Sequence, residues 1–181
     1  MKAGSPLPAA LGAGVVLAGA LLLSGRHELT KGRRAIDSAF SEFDAALRAE
    51  EEMVPGILTA TRPYAGEEEP ALDEMASALA AATAAHTRAE KIAAAEPLEI
   101  ALAKMLLIQE VHPESKSNAA VAALQTALAR AEARMAAAQR KYNEAVQQYN
   151  ATLAAFPQSV AGAAFGFRRE EDEFKADSLI H

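Results

Sequence analysis

One seam constrains this chain more than any other feature. Val121, Leu124, Leu128, Ala131, Met135, Ala138, Tyr142, Ala145 and Tyr149 follow one another by alternating steps of three and four, and Phe156 falls on the same register. A 3.5-residue period held over about five heptads commits the segment to one long helix with a single buried stripe. A helix of about 40 residues is roughly 60 Å long, so only other long helices can cover it. Composition points the same way. About a quarter of the chain is Ala and Trp is absent; Ala forms helices best and contributes little burial energy, which favours closely approaching backbones over a thick core. No segment alternates apolar and polar residues with period two, and no Asn-Gly or Asp-Gly turn occurs. The expected fold class is all-α, a long antiparallel bundle of three to four helices.

Two earlier stretches supply the partners. From Glu28 to Tyr64, the residues Ile36, Phe40, Phe43, Leu47, Val54, Ile57 and Thr61 form one stripe, with Pro55 predicted to kink the helix or end its first half. Pro63 and Gly66 mark a turn. From Glu68 to Val111 the stripe runs through Leu72, Met75, Leu79, Ala82, His86 and Ala89, then Leu98, Leu102, Met105 and Leu106; Pro97 predicts a kink or break near Glu96. His112-Pro113 closes this stretch, and Ser117 or Asn118 is expected to cap the third helix. Short connections make consecutive helices antiparallel neighbours. The heptad seam also accepts a helix from a second copy, so a homo-oligomer is a further expectation.

The N-terminus carries a different signal. Between Ala3 and Gly25 there is no charged residue. As a helix, Leu7 to Gly25 spans about 28 Å, close to a bilayer core of roughly 30 Å. The reading is a single-pass transmembrane helix contacting the lipid bilayer through residues 7–25; the rival is a cleaved signal peptide. Arg26, Lys31, Arg33 and Arg34 follow it, which places the main domain in the cytoplasm. The expected organisation is an anchor over 1–25 and a bundle with a C-terminal Gly-Phe tail over 26–181. Ala10, Gly14 and Ala18 form a small-residue stripe through which two anchors can pack. Gly12-Ala-Gly14 lacks the strand and acidic residue that a dinucleotide fingerprint needs.

Candidate chemistry is sparse. There is no Cys, hence no disulfide, thiolate metal site or cysteine nucleophile. A net charge of −6 argues against nucleic acid as a partner, because phosphate binding needs clustered Lys and Arg. His27, His86, His112 and His181 are scattered; His86 and Glu90 are an isolated i, i+4 pair, too few ligands for a metal-binding bundle. The runs Glu50-Glu51-Glu52, Glu67-Glu68-Glu69 and Glu170-Glu171-Asp172-Glu173 read as solvated faces and turns, without calcium-loop spacing. No catalytic, metal or cofactor site is expected.

A C-terminal motif remains: Lys141-Tyr142-Asn143, then Val146, Tyr149-Asn150, Phe156-Pro157, Ala161, Gly166-Phe167 and Phe174. It resembles the signature of the LemA family, a paired Tyr-Asn helix leading into a Phe-Pro turn and a Gly-Phe segment that ends in an aromatic. His112 to Gln125 resembles the family's inter-helix turn, and Ala35 to Tyr64 its first helix, with Gly56 replacing the usual Asn, Phe40 replacing Trp, and Pro97 added in the second helix. The resemblance implies an antiparallel bundle on a single-pass anchor in the bacterial inner membrane. It further implies an association with envelope or membrane stress, or with membrane remodelling as in a magnetosome-forming branch. The function expected is therefore that of a non-catalytic structural or interaction protein with an unidentified membrane or cytoplasmic protein partner. The alternative is an accessory factor to a membrane protease or stress system. Asn143 and Asn150, one position round from the seam, either fix the register between helices or form a polar recognition face. Phe156, Phe165, Phe167 and Phe174 either fold back as a hydrophobic clasp or stay exposed as a partner or membrane contact.

Overall fold

The computed structural model describes residues 7–64, 66, 69–111 and 119–174, and within them all side chains except those of 7–15, 64, 109–111 and 119–121. Five α-helices follow in order: α1 Leu7–Thr61, α2 Glu69–Ala84, α3 Arg88–Val111, α4 Ala119–Ala154 and α5 Gln158–Phe165, with a 3-10 turn Arg62–Tyr64 after α1. Among the described residues there is no strand, and the all-helical class holds. The inter-helix turn at His112-Pro113, the caps Ser117 and Asn118, and the side chain of Val121 lie outside the described residues.

The chain divides into two compact units. A central unit comprises Ala39–Asn143 with Asp172–His181, and a terminal unit comprises Met1–Ser38 with Glu144–Glu171.

In the central unit the predicted stripes become the core. Phe43, Leu47, Val54 and Ile57 of α1, Met75 of α2, Leu98, Leu102 and Met105 of α3, and Leu128, Met135 and Tyr142 of α4 are all 2 % exposed or less. Each large apolar side chain so buried contributes about 1.5–3 kcal/mol. α1 and α4 run antiparallel here: Lys141 reaches Glu42 at 2.5 Å, whereas further along α1 the carboxylate of Glu50 feels that of Glu132. Asp44 of α1 is paired with Lys91 of α3 and with Arg48.

The helix end expected at Pro55 and the break expected at Pro97 are corrected. α1 continues through Pro55 to Thr61, and α3 continues through Pro97 to Val111. Both prolines lie on exposed positions, as does Ala93, while Glu51 is half-exposed. Water can therefore serve the carbonyls of Glu51 and Ala93, which lose their helical donors to the prolines. The break in the second stretch falls instead at Ala85 to Thr87. There Glu90 N–H donates to Thr87 Oγ1 at 3.2 Å, while Glu90 Oε2 accepts the backbone N–H groups of Thr87 at 2.8 Å and His86 at 2.9 Å. This is a Thr-x-x-Glu capping box, and it takes His86 and Ala89 off the buried stripe to exposed positions. The helices it separates, α2 and α3, form a tight αα-hairpin, linked on its surface by Lys104 and Glu74 at 2.7 Å.

Among the described residues no helix is long and apolar enough to cross a membrane. The apolar part of α1 with described side chains runs only from Val16 to Gly25, about 15 Å of helix, half of what a bilayer requires. The rest of the anticipated anchor, 7–15, has its side chains outside the described residues.

Glu50 corrects the reading of its acidic run as a solvated face. Its side chain is fully buried, and neither carboxylate oxygen has a hydrogen-bond partner among the described residues. Burial, followed by the fields of Glu99 and Glu132, pushes its pKa from the ordinary 4.5 to about 8. Glu99 accepts a bond from Gln139 Nε2 at 2.6 Å; burial raises its pKa to about 7 in spite of that bond. An acid with a raised folded pKa binds its proton more tightly in the folded chain, so the contribution of Glu50 to stability is greatest below pH 4.5 and is lost as pH climbs through 8. Chemical denaturation of the wild-type chain should lose on the order of 2–4 kcal/mol between about pH 5 and about pH 9. Glu50→Gln should reduce that decline and leave the part due to Glu99; an unchanged slope would place the titration elsewhere.

Candidate functional site

Tyr142 and Tyr149 sit on the buried stripe of α4, with Asn143 and Asn150 one position round, and each pair holds the chain's own C-terminal tail. In the central unit Tyr142 Oη donates to the Asp172 carbonyl at 2.8 Å. Asn143 Nδ2 donates to the Phe174 carbonyl at 2.9 Å, and Phe174 N–H donates back to Asn143 Oδ1 at 2.9 Å. The terminal unit repeats the pattern. Tyr149 Oη donates to the Arg168 carbonyl at 2.8 Å, Asn150 Nδ2 to the Glu170 carbonyl at 2.8 Å, and Glu170 N–H to Asn150 Oδ1 at 3.0 Å.

The chemistry explains the residue types. A side-chain amide has the donor and acceptor of a peptide group, so Asn closes a two-bond ring on one tail residue as a neighbouring strand would. Tyr adds a phenol at the end of a rigid apolar ring, suited to a position that is buried at its base and polar at its tip. Seven residues of helix advance about 10.5 Å, which four residues of nearly extended chain cover with slack; hence positions 142 and 143 read 172 and 174, and 149 and 150 read 168 and 170. Asn143 and Asn150 therefore do not set register between helices, as one expectation had it; they set the register of the tail. All six bonds go to main-chain atoms of the tail, so its run of Glu170 to Glu173 can lie against α4 while Glu171 stays in water.

Local features position each half. Phe174, 7 % exposed, inserts its ring edge-on against Phe43 at 4.8 Å and Tyr142 at 5.7 Å. Phe40 closes the cluster 6.0 Å from Tyr142, and the Arg88 guanidinium stacks 4.7 Å over Phe40, a cation–π contact. In the terminal unit, a β-carbon at Gly32 would come within 3.0 Å of the Tyr149 ring, so the glycine makes room for the tyrosine. Burial raises the Tyr149 phenol above its ordinary pKa, against the opposing charge of Arg33. The tail enters through Gly166, whose φ of 72° ends α5, with Phe167 N–H bonded to the Gly162 carbonyl at 2.9 Å. That is the 6→1 bond of a Schellman ending, and its left-handed residue suits glycine.

The aromatic clasp holds for Phe174 and fails for the rest. α4 ends at Ala154, so Phe156 leaves the seam and is 78 % exposed; its peptide bond to Pro157 is cis. Phe165 is 43 % exposed beneath Arg26, whose guanidinium carbon lies 5.1 Å from the ring centre. Phe167 is half-exposed. Sequence reasoning missed Arg88 and Gly32, for which spacing along one helix carries no signal. Among the described residues no group of three or more His, Asp or Glu is placed to hold a metal ion.

Fold and site define a class: an all-helical protein whose last long helix clamps its own tail through paired Tyr-Asn dipeptides. The model of the LemA family matches residues 39–179, and the chain belongs to that family. The match spans the whole motif from Tyr142 to Phe174. A search of curated proteins finds no match.

Replacing Asn143 by Ala strands the N–H and C=O of Phe174, at a cost of roughly 1–3 kcal/mol. Denaturant titration should show that loss, and chymotrypsin should cut after Phe174 faster than in the wild-type chain. Equal cleavage would mean that ring packing alone retains the tail.

Proposed function

We propose that this LemA-family chain is a non-catalytic structural and interaction protein, tethered to the bacterial inner membrane by residues 7–25, with its helical domain on the cytoplasmic side. One observation carries the tether. Val16, Leu17, Leu21 and Leu23 of α1 are 72 %, 62 %, 43 % and 63 % exposed. Four large exposed apolar side chains within eight residues of one helix are the signature of a surface meant for lipid or for another protein. The uncharged sequence from Ala3 to Gly25, ending at a basic flank, favours lipid. The cleaved-leader reading gains nothing from this exposure, since a removed segment has no surface to match.

The non-catalytic part draws on the clamp. The polar side chains that mark the family motif bond main-chain groups of the same chain, which is a structural employment. Partner proteins on the cytoplasmic side, and a link to envelope or membrane stress, complete the proposal on the strength of the family resemblance.

The chain has no native Cys, so single-cysteine labelling tests the tether cleanly. Ser5→Cys and Ser178→Cys should differ in their reaction with an impermeant maleimide in intact cells, Ser5→Cys labelling and Ser178→Cys reacting only after lysis. Equal labelling of both would refute the spanning tether.

A further inference from the structure

We infer that the outward face of α5 is a second membrane contact, an apolar foot that seats in the headgroup region of an anionic bilayer beside the point where α1 leaves it. The inference rests on the tether proposed above and adds to it a surface remote in sequence.

Within the terminal unit, α5 presents a reversed pattern. Ala161 and Gly162 face inward and are buried, and the outward positions are Val160, Ala163 and Ala164, all exposed. At 100° per residue these three lie within one third of the helix circumference, and no polar side chain falls among them. Gln158 and Ser159, the polar residues of α5, are half-buried instead. Val160 is 50 % exposed and Phe156, two residues before the helix, 78 %. A water-facing helix normally carries its charges outward; this one carries none.

Three further observations select lipid as the occupant. First, α5 is packed directly against the end of the apolar stretch of α1. A β-carbon at Gly25 would come 2.7 Å from that of Ala161 and 3.4 Å from the Gln158 α-carbon, so only glycine permits the approach. Leu21, one turn before Gly25, lies on the same side of α1 as this contact, so its exposed face and that of α5 belong to one region of the terminal unit. Second, that region is uncharged on both chain segments. The sequence has no charged residue from Ala3 to Gly25 and none from Ala145 to Phe167. Third, each uncharged segment is followed at once by arginine, Arg26 in one case and Arg168-Arg169 in the other. Arg26 stacks on Phe165, and Arg168 and Arg169 are exposed. Apolar side chains bordered by arginines match the acyl boundary and the phosphates of an anionic leaflet.

The test uses the full chain reconstituted in phosphatidylcholine vesicles with or without phosphatidylglycerol. Val160→Cys and Leu21→Cys are labelled singly with an environment-sensitive fluorophore. Quenching is then compared for lipids spin-labelled near the headgroup, lipids spin-labelled deep in the acyl chain, and aqueous iodide. The label at 160 should be quenched mainly by the shallow spin label, shielded from iodide, and more strongly so with phosphatidylglycerol. The label at 21, about 6 Å along the helix from Gly25, should be quenched by lipid and shielded from iodide to the same extent with or without phosphatidylglycerol. Arg168→Glu with Arg169→Glu should abolish the phosphatidylglycerol dependence at 160 and leave 21 unchanged. A label at 160 open to iodide, with 21 still quenched by lipid, would overturn the foot and leave the tether standing. Lack of lipid quenching at both positions would overturn the tether and the foot together. Efficient oxidative crosslinking of Val160→Cys between copies, with 160 unquenched by lipid, would assign the face to a second copy and overturn the inference.

Discussion

The amide of an asparagine can replace one peptide group of a missing neighbouring strand, and the C-terminal tail of this protein depends on that substitution. Residues 167–174 have no secondary structure of their own and include four consecutive acidic side chains. Such a segment gains little from apolar burial and keeps obligatory main-chain donors and acceptors. Asn143 and Asn150 satisfy one residue each, and Tyr142 and Tyr149 one further carbonyl each. Phe174 adds apolar contact through its ring, packed against Phe43 and Tyr142. The rest of the motif serves the same end: Gly166 turns the chain out of α5, and Gly32 leaves space for a tyrosine ring.

Much of this was legible from spacing. The seam on α4 and the stripe on α1 follow from steps of three and four, because helix geometry turns such steps into one face. Leu128, Met135, Tyr142 and Tyr149 are buried as their register requires. The seven-residue repeat of Tyr-Asn was equally plain, and its family resemblance agrees with the family match. What it binds was not legible, since a main-chain partner leaves no side-chain signature for a periodicity argument to find. The register of Phe156 misled because the helix stops at Ala154, two residues before it.

Other errors came from ranking local signals wrongly. Pro97 looked like the stronger breaker of the second stretch, yet Thr87-x-x-Glu90 decided the boundary by supplying partners for helix-end N–H groups. A proline on an exposed face costs one internal bond that water replaces; an uncapped helix start would leave several. Glu50 was misread for a different reason. Three consecutive glutamates look solvated as a group, but helix rotation sends one of them inward beside Phe43, Leu47 and Val54 on the stripe of α1. Its buried carboxyl is a cost retained in a mainly apolar core, and among the described residues it has no hydrogen-bond partner that offsets this.

Amide hydrogen exchange along the tail tests the clamp most directly. The N–H groups of Glu170 and Phe174, each donated to an asparagine, should exchange at least about tenfold more slowly than that of exposed Glu171 between them. Uniform fast exchange from Arg168 to Phe174 would contradict the clamp and leave the Tyr-Asn pairs without the role assigned to them.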